Sequence, residues 1–415
     1  MKKIIIIGIN PAGAKYLPQA LRNVGYEPIF ILDPEDFAGD ARDALRSCTC
    51  YPADIENWPE VLEMFAERPE ITRGVDAISS LYDEKFPLTE RIARTYGLHH
   101  PEPAFARLAA KAEVARLIPE FCPPTHVFAA ADWATADPAA VGAESGGVVL
   151  KPSVQAGAVG LTNLTSRDTP QAVRDAIAAS RLWDAQQQTW LLQAKIDGRL
   201  ISLEGYVLHG KVRFIGFSIR GRIRSTEVSN LFPGEARLGE RIRVRCTDAV
   251  TALVERAGMR NGYFHCEFIA TEDSAYLIDA NVGRIVGGSV VEQIALSHGL
   301  TPYEIFGHVI TLGLGAELAA AEPAYLAPEL ARPTMSFFYG LEGGGLVKSI
   351  ALPPDTTCMH TQVTPDGAEV LPVGVNDDAW VGMLTGFLDE AVRDMDRIRI
   401  ETLDGPRRAA YVVAG

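Results

Sequence analysis

Apolar and polar positions alternate along the chain in blocks that predict its elements. Ile4, Ile5, Ile6 and Ile7 form an unbroken β-branched run, as expected for a strand covered on both faces. The turn Gly8-Ile9-Asn10-Pro11-Ala12-Gly13 leads into a helical stretch reaching about Asn23, with Gly25 as its stop. Residues 28–33 and 76–81 read as further strands, and residues 84–97 as a helix. This alternation predicts βαβ units and a parallel sheet.

Pro101, Pro103, Pro123 and Pro124 punctuate the next stretch, around one helix over residues 104–117. Residues 127–192 read as a smaller unit with a strand over 147–151 and an amphipathic helix over 170–182. Beyond Leu191 the strands lengthen. A hairpin over 203–217 turns on His209-Gly210, a helix covers 247–257, and strands 263–270 and 275–279 flank the polar turn Thr271 to Ser274. A helical region ends near Glu322, and Pro323, Pro328 and Pro333 mark a linker. The remainder is predicted as a small β-rich unit closed by a helix over 378–395.

Composition narrows the function classes. The chain has 415 residues, 47% hydrophobic and 22% charged, which argues against disorder. At roughly 150 residues per domain this predicts two to four domains, and the pattern above favours four units. Lys and Arg total 39 against 53 Asp and Glu, a formal charge of −14. That balance disfavours nucleic acid or an anionic membrane as partner, since both reward positive surface. Lys2 and Lys3 precede an apolar run, but Ile4 to Ile9 is too short for a signal peptide, and nothing approaches a membrane-spanning length. Six scattered cysteines without a CxxC pair are expected to be reduced thiols in a cytoplasmic protein.

Three motifs are expected to be decoys. Gly205 to Lys211 matches the start of a P-loop, but Val212 replaces the required Ser or Thr and the interior is strand-forming. Gly8 to Gly13 lacks the middle glycine of a dinucleotide turn, and Asn10-Pro11 stiffens the place where backbone must approach pyrophosphate. His265-Cys266-Glu267 has the HxE spacing of zinc deaminases, but no PCxxC follows, so His265 is expected to be structural.

The segment from His265 to Gly288 carries the strongest chemistry. Glu267 and Asp279 sit on successive strands, and Asn281 returns to the face of Asp279 by period-two alternation. Two carboxylates and an amide oxygen are hard ligands suited to magnesium. Arg284 adds a fixed cation able to grip a carboxylate or phosphoryl group. Lys151 ends an apolar strand and precedes the small-residue loop from Pro152 to Gly160, the composition a phosphate lid needs. Lys111, on a helix, is a second phosphate cation candidate.

In that order, Lys111, Lys151-Pro152, the hinge Leu191 to Gly198 and Glu267…Asp279-x-Asn281-x-x-Arg284 resemble the ATP-grasp superfamily over about residues 1–400. The resemblance is nearest to the carboxylate–amine ligases, especially L-amino acid ligases that make dipeptides. It implies an α/β (α+β) ATP-grasp fold with four parts. These are a Rossmann-like pre-domain over 1–100, a lid over 101–190, a large subdomain over 191–325 and a β-rich subdomain over 326–415. It further implies ATP contacts at Lys111, Lys151, Ser153, Gly157, Gln193, Ala194, Lys195, Ile196 and Glu204. Glu267, Asp279 and Asn281 would bind Mg2+, with Mn2+ as a substitute. Arg284, Lys151 and Glu227 would be catalytic, and Glu227, Asn230, Arg284 and Gly287 would meet substrate. Glu227 lies in Ser225-Thr226-Glu227-Val228-Ser229-Asn230-Leu231-Phe232-Pro233, similar to the family's segment that receives an amine; a plain edge-strand Glu is the other reading.

Three positions depart from the family pattern. Gln193 stands where the hinge acid is usual, Leu200 where a ribose-binding acid is usual, and Asp279 where the second metal acid is usually Glu. The partners implied are a small carboxylate and an amine, with a homodimer common among relatives. Three functions stay open: amide ligation through an acyl phosphate with release of ADP, a carboxylase-type reaction on bicarbonate or a purine intermediate, and ATP binding without turnover.

Overall fold

The computed structural model describes residues 1–34, 44–155, 159–180, 182, 185–224, 226–285, 289–375 and 379–414. Gly157, Ser225 and Gly287 of the expected motifs lie outside the described residues. Strands β1 (Lys2–Ile7), β2 (Tyr26–Leu32), β3 (Thr49–Pro52) and β4 (Ala77–Ser80) form a parallel sheet in the order β3-β2-β1-β4. Ile4 to Ile7 are wholly buried, and each such side chain contributes roughly 1.5–3 kcal/mol of burial. The expected turn after β1 is a helix start: Asn10 accepts a 2.7 Å hydrogen bond from Gly13 N, capping the helix Pro11–Asn23.

The single helix expected over 104–117 is two, Pro103–Leu108 and Lys111–Leu117. Ala110 is extended, and the second helix is capped from a distant segment: Lys111 N donates to Ser153 O at 2.8 Å and Ala112 N to Ser153 Oγ at 3.1 Å. Ser153 follows the second sheet's central strand. That sheet holds β5 (Thr125–Ala129), β6 (Gly147–Pro152), β7 (Thr162–Thr165) and β8 (Thr189–Ala194), antiparallel in the order β5-β8-β6-β7. The helix Pro170–Ala179 buries Val173 and Ile177 in one cluster with Trp190.

The third sheet is the largest. It takes β9 (Arg199–Leu208), β10 (Lys211–Ile223), β11 (Thr226–Phe232), β12 (Gly262–Ala270) and β13 (Ala275–Val282) from the middle of the chain. The residues after the proline linker form β14 (Thr334–Tyr339), β15 (Gly345–Ala351), β16 (Met359–Gln362), β17 (Glu369–Val370), β18 (Gly382–Phe387), β19 (Arg399–Thr402) and β20 (Gly405–Arg408). These do not stand apart. β14, β18 and β16 complete an antiparallel eight-stranded sheet, β13-β12-β9-β10-β11-β14-β18-β16, while β17-β15-β19-β20 form a small sheet. The helix expected over 378–395 is confined to Leu388–Met395. Its expected first half contains β18, whose buried side chains fill a central position between β14 and β16. The helix expected over 247–257 begins earlier, as Glu240–Ala257.

Alternation gives the large sheet two different faces. Ile201, Leu203, Phe264, Cys266 and Phe268 share a core cluster with Ile242, Val250 and Leu253 of the helix Glu240–Ala257. The opposite face carries Tyr206 and Tyr263 in a cluster with the helix Pro302–Gly313, which also packs on Leu17, Ala20 and Leu21 of the first helix. Further along that same face the side chains turn polar.

Candidate active site

Strand register assembles the polar face. Glu267 on β12 lies opposite Asp279 on β13, and His265 opposite Asn281. On the other side of β12, Ser202 of β9 lies opposite Glu267 and Glu204 opposite His265. β10 adds Ser218 opposite Ser202, with Arg220 two residues on. Directly paired residues share a face, as do alternate residues along a strand, so all of these side chains project together.

Two β-bulges refine the pattern. On β13 the pairing passes from Asp279 to Leu277, leaving Ile278 unpaired. Its carbonyl accepts a 2.9 Å hydrogen bond from Lys151 Nζ, which joins β6 to the metal-type strands. On β11 the pairing passes from Ser229 to Glu227 across the extra residue Val228. The slip turns Glu227 onto the face of Arg220, where strict alternation from Asn230 would have turned it away.

The two lysines converge on Asp279. Lys111 Nζ lies 3.3 Å from Asp279 Oδ2 and donates to Gln155 O at 2.8 Å. Burial works against its charge, but Asp279, Asp83 and Glu267 outweigh it and raise its pKa. Lys151 is more deeply enclosed; burial dominates there, with Asp279 opposing and Lys111 adding, and its pKa falls to about 8. Together with Leu191, Gln193, Leu277 and Asp279, these lysines line a crevice of about 10 Å3.

Arg220 stands at the centre of the acids. Its Nη1 lies 2.7 and 2.6 Å from the two oxygens of Glu227, and its Nη2 lies 3.0 Å from His265 Nε2 and 3.7 Å from Glu267 Oε1. His265 Nδ1 lies 3.1 Å from Glu204 Oε1. Burial disfavours the imidazolium, but Glu204 and Glu267 outweigh that and raise its pKa. Burial also opposes the Glu267 charge; the His265 hydrogen bond and the Arg220, His265 and Lys111 charges prevail and hold it down to about 2. Arg220 is not among the residues the sequence singles out, since its only local signal is a charge inside an apolar strand.

Glu267, Asp279 and the Asn281 amide oxygen fit a hard divalent cation by donor chemistry and by adjacency. Among the described residues no cluster of three or more His, Cys, Asp or Glu side chains is placed to hold a metal. Two acids and one amide leave the remaining positions to phosphate oxygens and water, the usual pattern for magnesium.

Arg284 is already engaged. It pairs with Asp83, donates to Leu81 O at 3.2 Å, and donates to Asn281 Oδ1 at 3.0 Å, so it ties the N-terminal unit to the metal-type strand. Gly283 sets its direction. With φ of +78°, a Cβ there would stand 2.6 Å from atoms of Phe105 and Phe86, both fully buried. Gly283→Ala is therefore expected to destabilise the chain by about 1–3 kcal/mol, read as a lowered midpoint in urea unfolding.

The other expected contacts fall in different places. Ser153 is buried and spent on the helix cap described above. Gln193 is buried and donates to Thr125 Oγ1 at 2.9 Å. Ala194 N and Lys195 N bond to Pro124 O and Gly147 O, while Ile196 is half-buried and Lys195 exposed. Glu204, expected at the nucleotide, is fully enclosed and accepts from Ser202 Oγ at 2.6 Å and Ser218 Oγ at 3.1 Å. Asn230, expected at the substrate, is likewise fully buried and donates to Gln293 Oε1 at 2.9 Å. Alternation predicts which face a side chain takes, and not whether another element covers that face.

Comparison with known proteins agrees with this architecture. Residues 145–292 match the family model of the ATP-grasp domain. No curated protein sequence matches the chain. Among solved structures, the chain is similar to an L-amino acid ligase from Bacillus licheniformis, with a TM-score of 0.69 and 17% identity over 97% of this chain and 99% of that one. It is similar to phosphoribosylglycinamide synthetase from Anaerococcus prevotii, with a TM-score of 0.67 and 14% identity over 97% and 99%. The biotin carboxylase domain of Hydrogenobacter thermophilus 2-oxoglutarate carboxylase, solved with MgADP and bicarbonate, gives 0.69 and 16% over 98% and 92%. All six cysteines are free thiols, and no helix among the described residues is long and apolar enough to cross a membrane. The chain thus carries an ATP-grasp domain over residues 145–292, within a structure whose fold is similar to that of the L-amino acid ligase over 97% of the chain.

Proposed function

We propose that the chain is an ATP-dependent carboxylate–amine ligase that joins amino-acid-like substrates through an acyl phosphate and releases ADP and phosphate. One observation supports it most: Lys111 and Lys151 reach Asp279 and the carbonyl beside it from two other elements, opposite Glu267. A triphosphate between amines and acids calls for that opposition. Glu267, Asp279 and Asn281 would hold magnesium, which when bound neutralises charge on the transferring phosphoryl group.

The remaining roles belong to the chain. The substrate carboxylate oxygen attacks the γ-phosphorus and ADP leaves; Lys111 and Lys151 stabilise the charge spreading over the phosphoryl oxygens. Phosphate is then a leaving group that an amine displaces from the acyl carbon. Arg284 would hold the substrate end nearest Asn281, by exchanging Asp83 for the substrate carboxylate. The crevice of about 10 Å3 is too narrow for a nucleotide, so the unit over 101–190 would swing outward to admit ATP and close to exclude water. We place the enzyme in the cytoplasm as a soluble protein acting on small molecules.

ADP release measured across all pairs of proteinogenic amino acids, followed by mass analysis of the condensed product, tests the proposal. The expected result is ADP formation that needs both partners. AMP and pyrophosphate as products, or tight ATP binding with no ADP release for any pair, would overturn it. ADP release driven by bicarbonate without an amino acid would move the chain to the carboxylase reading that its likeness to the bicarbonate-bound domain leaves open.

A further inference from the structure

A cavity of about 950 Å3 lies where the N-terminal unit meets the helix Lys111–Leu117 and the second sheet, and the assignments above leave it unused. Trp58, Pro87, Pro119, Pro123, Val127 and Val154 make most of its wall apolar. Glu84, on the short turn Asp83–Lys85, breaks that wall. Its Oε2 is buried and has no hydrogen-bond partner among the described residues. Its neighbours are compensated: Asp83 by Arg284, and Lys85 by Glu56 at 2.5 Å. Glu113 and Arg116, which also face the cavity, pair with each other at 2.8 Å, and His126 lines the far side. Glu84 is thus a cavity-lining acid with one carboxyl oxygen enclosed behind the wall and left without a hydrogen-bond partner among the described residues.

The cavity adjoins the reaction centre. Gln155 lines it, and the Gln155 carbonyl accepts from Lys111 Nζ. Ala115 and Cys122 are common walls of the cavity and of the crevice that holds Lys151 and Asp279. Burial first, then the adjoining Asp83 charge, push the Glu84 carboxyl up to about 7, with Arg284 and Lys85 opposing. A carboxyl with that affinity suits proton transfer near neutral pH. Glu227, the acid expected to receive the amine, has both oxygens committed to Arg220.

We propose that Glu84 is the base for the incoming amine, and that the cavity binds an acceptor with an ammonium group on an apolar body. This rests on the ligase reading above. The acceptor's ammonium gives one proton to the Glu84 carboxylate. The freed lone pair forms the C–N bond as the acyl C–O bond to phosphate breaks, and the second N–H proton leaves with inorganic phosphate. Glu84 then returns its proton to solvent through the open side of the cavity.

Hydroxylamine separates the steps, because it is a neutral nucleophile near pH 7 and needs no base. Wild type is given ATP, magnesium, hydroxylamine and each proteinogenic L-amino acid in turn; hydroxamate reports acyl-phosphate formation. The acid that responds is then paired with each amino acid as acceptor. Glu84→Gln is expected to lose condensation by on the order of 100-fold, while hydroxamate formation stays within about twofold. Glu84→Asp should recover part of the condensation. In wild type, kcat/KM for the amine should fall on the acid side with an apparent pKa near 7. Condensation by Glu84→Gln at the wild-type rate and KM, or a wild-type profile without that acid limb, would overturn this proposal and leave the ligase reading intact. No hydroxamate from wild type with any acid would overturn the ligase reading itself.

Discussion

Arg220→Met is expected to destabilise the chain by about 3–5 kcal/mol, the range for breaking a buried ion pair from one side. The guanidinium is the shared partner of Glu227, Glu267 and the His265 imidazole, and it is almost fully buried. Methionine fills similar volume but leaves those acids facing one another. Glu227 and Glu267 keep some water contact, which places the expectation toward the lower end of the range. The sign of the pH dependence follows from Glu267. Its folded pKa is depressed to about 2, so the stability it contributes is present above the ordinary glutamate pKa and lost as pH falls through about 2. The gap between wild type and variant should therefore be full near neutrality and shrink on acidification. Urea unfolding at neutral and acidic pH reads this directly, and equal midpoints at neutral pH would refute the account of Arg220.

Glu267→Gln should abolish product while the protein stays folded. The amide is isosteric, and Arg220 retains its two bonds to Glu227. What changes is charge: a carboxylate held ionised by Arg220, His265 and Lys111 becomes neutral. Loss of one preorganised electrostatic contact at a reacting phosphoryl group costs on the order of 10²–10³-fold in turnover. Steady-state ADP release and circular dichroism, side by side, give the answer. Turnover within about twofold of wild type, a change too small for a lost transition-state contact, would remove Glu267 from the magnesium site.

Much of this arrangement is legible in the sequence because it is local. The apolar run at Ile4 to Ile7 is a buried strand, and the hairpins turn where His209-Gly210 and Thr271 to Ser274 predict. Glu267, Asp279 and Asn281 share a face because alternation within one hairpin requires it. What escapes is set by partners distant in sequence. Asp83 pairs with Arg284 across 200 intervening positions, a neighbour no window could reveal. The bulges at Ile278 and Val228 depend on three-dimensional pairing, yet they supply the Lys151 acceptor and the orientation of Glu227. The break at Ala110 is invisible because the helical period continues across it, and its cause is Ser153 arriving from another sheet. Residues 381–387 have composition compatible with helix or strand, and a place between β14 and β16 decides for strand.

The composite origin of the eight-stranded sheet bears on synthesis at the ribosome. A nascent chain that has extruded β9 to β13 already owns every proposed metal ligand, yet the β11 edge stays open until Thr334–Tyr339 emerges and pairs with it. Helix Val290–His298, whose Gln293 bonds to both Asn230 and Thr334, would likewise wait for its second anchor. An unfinished polypeptide thus exposes a sticky apolar rim during translation, the kind of surface that recruits a chaperone.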